Sequence, residues 1–260
     1  MLKGRSALVT GSTNGLGFAI AEGLARAGCD IMLTGLESAA EMDERCRSLA
    51  GAEGVTVAYH PADLATSAGV EQLIAATESR FGGVDILVNN AVVRHFARID
   101  EFPTDRWEQA LAVNLSAAFH TIRLSLPGMR QRKWGRIINM SSVYGSFAIA
   151  ERVDYVTTKT ALLGLTRVVA LETLDDEITC NAVCPGSVLT PYSEQRLQRM
   201  MAAEGLTREA AVEKFLADRQ PAGRFVAAEN VAELIVFLCG PAGRDITGSS
   251  LPIDAGWLAS

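Results

Sequence analysis

The stretch that decides the fold is Ser6-Ala-Leu-Val-Thr10-Gly11-Ser-Thr13-Asn14-Gly15-Leu16-Gly17. Ser6–Thr10 reads as a short buried strand. It runs through closely spaced glycines into Gly15–Ala27, where Phe18, Ile20, Ala21 and Leu24 make one apolar helical side. Glycines at such a turn let the backbone bend tightly and come close to a pyrophosphate, and the helix start offers free N–H groups and the positive end of a dipole. A glycine-rich match alone says little. Strand, turn and helix in this order make it a dinucleotide-binding signal, against the alternative of a turn that merely needs positive φ.

Outward from this stretch, short apolar runs alternate with amphipathic ones. The spacing predicts strands at Asp30–Thr34, Val55–His60, Val84–Asn89, Arg136–Met140, Ile178–Cys184 and Ser250–Ile253. It predicts helices at Ala39–Leu49, Ala68–Phe81, Thr104 to about Arg130, Asp154–Leu174 and Glu229–Cys239. Strands that read as near-continuous apolar runs are covered on both faces. The expected fold class is therefore α/β: a single-domain, Rossmann-type, doubly wound parallel sheet of about seven strands with helices on both faces. One domain is expected over residues 1–260, since no linker, repeat or low-complexity segment divides the chain. Residues 187–225, rich in Met, Arg, Glu and Gln, break the rhythm beyond the carboxyl end of a strand, where open α/β sheets bind ligands. A helical substrate lid is the expectation there, and an ordinary surface hairpin the alternative.

Composition narrows the function classes. The chain has 260 residues, 48% hydrophobic and 21% charged, with net charge −6 and no basic run. A chain of this length can bury about three quarters of its unfolded surface without disulfide or metal. Nucleic acid and anionic membranes are not expected partners. No apolar stretch reaches the roughly 18 residues of a membrane span, and the start is too short for a signal peptide, so a cytoplasmic protein is expected. Cys29, Cys46, Cys180, Cys184 and Cys239 are odd in number and scattered, and read as buried reduced thiols. Cys180 and Cys184 lack a second ligand pair for zinc. His60, His95 and His120 fit no triad or metal spacing and read as structural or surface groups.

The chemistry-bearing residues are Ser142 after the fifth strand and Tyr155-Val-Thr-Thr-Lys159 on the next helix. A free phenol, with a pKa near 10, is a poor base at neutral pH, and a nearby ammonium brings it down. Residues four apart share a helix face, so Lys159 can tune Tyr155. Alone, Tyr-x3-Lys is a common surface pair and a serine after a strand is a common helix cap. The second strand ends Thr34-Gly35-Leu36-Glu37, with no Lys or Arg before Arg45, which favours NAD over NADP. Glu37 lies one position later than the usual acid and is not counted as a ribose ligand.

The Gly-x3-Gly-x-Gly spacing, with Asp63-Leu64, Asn89-Asn90-Ala91, Asn114, Ser142, Tyr155, Lys159, Pro185-Gly186 and Thr190 in order, resembles the short-chain dehydrogenase/reductase family over the whole chain. The resemblance implies an NAD-dependent oxidoreductase acting on CH–OH groups, with Asn114, Ser142, Tyr155 and Lys159 catalytic. Asn114 would order a water that links Lys159 to solvent. The cofactor would lie against Gly11, Thr13, Asn14, Gly15, Leu16, Gly17, Leu36, Asp63, Leu64, Asn90, Ala91, Pro185, Gly186, Val188 and Thr190, with Tyr155 and Lys159 shared. The family usually has glycine at position 92, where this chain has Val. A valine there is strained if φ is positive and harmless if the backbone is extended.

Within the family, the segments Trp134–Asn139, Val168–Thr173, Val188–Pro191, Gln220-Pro221 and Asp254–Trp257 resemble the bacterial D-3-hydroxybutyrate dehydrogenases. That implies a 3-hydroxy acid substrate and a homotetramer pairing the helices near 104–130 and 154–174. Substrate contacts would be Arg94, Ser142, Tyr144, Arg152, Tyr155, Arg196 and Trp257. Those relatives tend to carry Gln, His, Lys and Gln where this chain has Arg94, Tyr144, Arg152 and Arg196. A planar guanidinium fork suits bidentate carboxylate or phosphate binding, so a more anionic or longer acid is expected. For Arg94 and Arg196 the alternative is that they point to solvent. Two competing expectations are an NADPH-dependent reductase of another oxo acid or oxoacyl compound, and a non-catalytic NAD-binding regulator.

Overall fold

A computed structural model describes residues 2–260. Seven strands, β1 (Ser6–Val9), β2 (Asp30–Gly35), β3 (Val57–Pro61), β4 (Ile86–Asn89), β5 (Gly135–Met140), β6 (Ile178–Pro185) and β7 (Ser250–Ile253), form one sheet. Its order is β3-β2-β1-β4-β5-β6-β7 and every pairing is parallel. Chain direction along the sheet reverses between β1 and β4, which opens a crevice at their carboxyl ends, the usual ligand position in such sheets.

Alternate side chains of the buried strands feed two apolar layers. On one face Val9, Ile31, Leu33, Val88 and Ile138 pack against α1 (Gly15–Arg26), α2 (Ala39–Glu53) and α9 (Ala228–Cys239). On the other, Leu8, Leu87, Ile137 and Cys180 meet α3 (Ser67–Phe81), α5 (Ala117–Arg132) and α6 (Val153–Leu171). All five cysteines are buried and unpaired, and burial pushes the Cys29 and Cys180 thiols up to about 12. No described helix is long and apolar enough to cross a membrane.

The helix expected from Thr104 to about Arg130 is interrupted. Helix α4 (Thr104–Leu111) passes through one wide π turn, Ala112–Ser116, into α5. Such turns insert a residue without ending the helix and gather at functional sites. The helix expected to reach Leu174 stops at Leu171 and a 3₁₀ turn follows. Val55 and Val84, expected in strands, precede β3 and β4. Residues 187–225 fold as α7 (Pro191–Glu204) and α8 (Arg208–Leu216). A single parallel bridge, Val188 to Val226, closes the base of this insert, and the Gln220 side chain there accepts from the Ser187 N–H and donates to the Arg224 carbonyl at 2.6 Å.

A polar cluster fixes the centre of the sheet to α5 and α6. Asn89 Nδ2 donates to Asn139 Oδ1 at 2.9 Å, Asn139 Nδ2 to Thr166 Oγ1 at 2.9 Å, and Thr121 Oγ1 to Asn89 Oδ1 at 2.7 Å, all buried. A satisfied network of this kind sets the register of α6 on β5 more sharply than apolar contact does. Asn139→Ala strands the Asn89 amide at about 1–3 kcal/mol, whereas the Thr166 hydroxyl keeps its bond to the Leu162 carbonyl. Urea unfolding of Asn139→Ala is therefore expected to show a loss of about 2 kcal/mol; a loss below about 0.5 kcal/mol contradicts a stabilising role for the network.

Candidate active site

The crevice is a cavity of about 680 Å³ whose walls come from the carboxyl ends of the strands and from α7. It gathers every cofactor and substrate position expected from the sequence, and every catalytic one except Asn114. At one end Gly15, Leu16 and Gly17 begin α1. Asn14 is its N-cap but makes no side-chain cap, unlike Ser38 on α2 or Thr66 on α3. The first amides of α1 are thus left for a ligand. A Cβ on Gly17 would meet the Gly11 carbonyl at 2.2 Å and Asn90 Nδ2 at 2.5 Å, and one on Gly11, at φ +61, would meet the Ala91 Cα at 2.8 Å. Only glycine permits this turn, and Asn90 locks it by donating to the Thr10 and Gly11 carbonyls at 2.9 and 3.0 Å. A backbone cradle open at a helix start fits a dinucleotide pyrophosphate.

Beyond the cradle, Leu36 is exposed and Asp63 and Leu64 complete that end of the wall. Glu37, set aside in the sequence, also lines it, and its carboxylate sits close to Gly35 and Thr13. Arg45 turns away to donate to the Thr13 carbonyl and to cover the Phe18 ring. Pro185, Gly186, Val188 and Thr190 form the opposite wall, and Thr190 caps α7 with Ser193. Val92 is not among the described non-glycine residues with positive φ, so no backbone strain attaches to it.

At the other end stand Ser142, Tyr155 and Lys159. Extended backbone at Ser142 leads into a 3₁₀ turn, Val143–Gly145, which its hydroxyl caps by accepting from the Tyr144 N–H at 3.2 Å. The same hydroxyl stands beside the Tyr155 phenol and favours its ionised form. Lys159, one turn along α6, donates to the Met140 carbonyl at 2.6 Å and lies 5.5 Å from the Tyr155 ring centre. Burial on its own raises the Tyr155 phenol. Arg94, Lys159, the Ser142 hydroxyl and Arg152 outweigh it, and the net direction is down from 10.0. Lys159 is lowered too, chiefly by burial. Arg94 adds to what the sequence assigned to Lys159 alone, since its guanidinium lies 5.1 Å from the Tyr155 ring centre.

Asn114 sits in the π turn, buried. Its Oδ1 accepts from Val93 N at 2.8 Å and its Nδ2 donates to Val93 O at 3.0 Å. It thereby holds the segment that carries Arg94. Asn114 shares with Lys159 a small separate chamber of about 10 Å³. Asp154, not singled out in the sequence, is fully buried at the start of α6 and accepts from Tyr155 N at 2.6 Å and His95 N at 3.0 Å. It ties the Arg94 segment to the helix of Tyr155. The His95 ring packs on Phe102.

The substrate end is aromatic and cationic. Tyr144 lies edge-on to Tyr155, ring centres 6.3 Å apart, and to Trp257, 5.4 Å. Arg94, Arg152 and Arg196 all line the cavity, with Arg94 also exposed to solvent and Arg196 half-buried. Arg219, from the turn after α8, lines it as well. Arg219 belongs to no motif, and its place in the wall depends on how the chain turns after α8.

Comparison with known proteins finds relatives over the full length of the chain. The family model described as Enoyl-(Acyl carrier protein) reductase matches residues 11–258. The D-beta-hydroxybutyrate dehydrogenase of Cupriavidus necator is 44% identical over 260 residues, covering 100% of both chains, and that of Rhizobium meliloti is 40% identical over 255 residues, covering 98% and 99%. L-sorbose reductase from Gluconobacter frateurii, solved with NADPH and L-sorbose, superposes with a TM-score of 0.95 at 32% identity, covering 100% of this chain and 98% of its own. The glycine cradle, the Ser142–Tyr155–Lys159 wall and these full-length matches make the chain a member of the short-chain dehydrogenase/reductase family, oxidoreductases that use a nicotinamide cofactor.

Proposed function

We propose that the protein is an NAD-dependent dehydrogenase that interconverts a small 3-hydroxy acid and its 3-oxo acid. The observation that carries this reading is one shared wall on which the Tyr155 phenol, held down by cations, adjoins Ser142 and a carboxylate-seeking cluster of arginines. The full-length likeness to D-beta-hydroxybutyrate dehydrogenases supports the same substrate class.

A nicotinamide cofactor held by the glycine cradle and the Pro185–Thr190 wall would supply the hydride acceptor or donor. The chain does the rest. In oxidation, Tyr155 Oη takes the proton of the alcohol as its C–H bond gives up hydride; in reduction, the same oxygen returns a proton to the forming alkoxide. Ser142 donates to the substrate oxygen and holds it in line. Lys159 keeps the phenol ionisable, and the chamber between Lys159 and Asn114, about the volume of one water, gives the proton a way out. Arg94 and Arg152 clamp the carboxylate, while Tyr144 and Trp257 close over the carbon chain. The α7–α8 insert acts as the lid.

NAD is favoured because Glu37, a carboxylate, faces the ribose end, where it suits a free 2′-hydroxyl and repels a 2′-phosphate. Arg45 is the nearby cation that would favour NADP were it to swing off Thr13. NADH formation from D-3-hydroxybutyrate and related hydroxy acids, with NADP⁺ in parallel, decides between them: a faster reaction with NAD⁺ is expected, and a preference for NADP⁺ refutes the assignment. Tyr155→Phe is expected to lower turnover by roughly 10²–10⁴-fold while cofactor still binds; unchanged turnover contradicts the mechanism.

A homotetramer is the expected assembly. Phe119 on α5 and Val168 and Leu171 on α6 are apolar and about half or more exposed, at 48%, 54% and 70%. Light scattering on the purified protein is expected to give four times the chain mass, and a stable monomer overturns the expectation.

A further inference from the structure

The substrate end of the cavity holds more positive charge than one carboxylate can use. Arg94, Arg152, Arg196 and Arg219 line it from four separate segments: the loop after β4, the start of α6, α7 and the turn after α8. They form a row joined by aromatic rings. Arg94 and Arg152 lie 5.1 and 4.6 Å from the centre of Tyr155. Arg152 and Arg196 lie 4.2 and 5.9 Å from Phe96. Arg196 and Arg219 lie 5.2 and 4.5 Å from Phe215. The row therefore starts on the phenol and runs out beneath the helical insert.

Ring faces compensate a cation only in part. Among the described residues, none of the four arginines forms an ion pair with a carboxylate. Elsewhere the chain pairs its arginines: Arg130 with Asp176, Arg132 with Asp85, Arg208 with Glu194. With 30 acidic residues and a net charge of −6, carboxylates are not scarce. The Nε of Arg152 is buried without a hydrogen-bond partner, a desolvation that the Phe96 and Tyr155 rings offset only in part. Burial lowers Arg152 and Arg219 from the usual guanidinium value, and the neighbouring Arg94 and Arg196, respectively, press in the same direction. A cluster of like charges costs stability, and a ligand anion removes the cost.

One carboxylate has two oxygens and is saturated by the two guanidiniums nearest Tyr155. We propose that the substrate is a dianion: a hydroxy acid whose first carboxylate is held by Arg94 and Arg152 beside the reacting carbon, and whose second anionic group, carboxylate or phosphate, is held by Arg196 and Arg219. Tyr144, whose phenol feels Arg219, Arg152 and Arg196 together, stands between the two positions. Arg219 is then the residue that selects for the second charge. The proposal rests on the hydroxy acid dehydrogenase reading above.

Two readouts keep the proposal and that reading separate. Calorimetry with NADH present, where an alcohol cannot be oxidised, measures binding of 3-hydroxybutyrate, 3-hydroxyglutarate and 3-hydroxy-4-phosphobutyrate. Turnover of the same three with NAD⁺ measures the reaction. The expected result is that one dianion binds roughly tenfold or more tighter than 3-hydroxybutyrate, with 3-hydroxyglutarate or the phosphate compound identifying the second group. In Arg219→Gln that ratio falls toward one. Equal binding of the three by the unaltered protein overturns the proposal without any variant, as does an Arg219→Gln protein that keeps the ratio. Preferential dianion binding with no turnover of any of the three overturns the dehydrogenase reading and leaves the double anion pocket standing.

Discussion

The site depends on one electrostatic balance. A phenol buried in a protein is held neutral, because its ionised form loses hydration. Tyr155 is buried, yet Arg94, Lys159, Ser142 and Arg152 together reverse that preference. Each of these groups comes from a different part of the fold. Lys159 is one turn along the same helix, Ser142 follows β5, Arg94 follows β4, and Arg152 precedes α6. The balance therefore requires the sheet order that sets β4, β5 and β6 side by side, and the buried ties that hold the loops to them. Asn114 fixes the Val93 backbone, Asp154 joins His95 to the first turn of α6, and the Asn89–Asn139–Thr166 chain seats α6 on the sheet.

The same cations serve two ends. Close to the phenol they govern its ionisation; toward the substrate they meet a carboxylate. An anion bound at Arg94 and Arg152 weakens their pull on the phenol, so substrate binding and proton transfer are coupled through shared charges. The aromatic rings between the guanidiniums keep the row ordered before a ligand arrives. That preorganisation limits the entropy lost when the acid is clamped.

The sheet was legible because its inner strands are buried on both faces and read as unbroken apolar runs; the edge strand Ser250–Ile253 is partly exposed but short and apolar enough to show its limits. The glycine cradle and the Ser142, Tyr155 and Lys159 wall were legible because each needs a particular residue at a particular step of strand, turn and helix. Other features left no mark. The π turn at Ala112–Ser116 keeps the apolar stripe running, so periodicity passes over it. Glu37 lies one position later than the usual acid, and its place in the cavity wall follows from how the chain leaves β2. Arg219 becomes a wall residue only once α7 and α8 fold back over the sheet, and Asp154 only once the His95 loop reaches it. Contacts between segments far apart in the chain are set by packing, which no local pattern encodes.

The central claim is that Tyr155 ionises below an ordinary phenol. Ultraviolet difference titration of tyrosinate, comparing the protein with Tyr155→Phe, measures this directly among the four tyrosines. Burial pushes Tyr144 up and Tyr59 up to about 12, so neither masks an early transition. A phenol titrating below 10 that disappears in Tyr155→Phe is the expected result. Below that transition the group is a neutral donor suited to reduction; above it the phenolate accepts, so alcohol oxidation rises with pH through the same point. A difference titration in which the Tyr155 phenol ionises at or above 10 would contradict the account, because burial would then have outweighed the cations gathered around it.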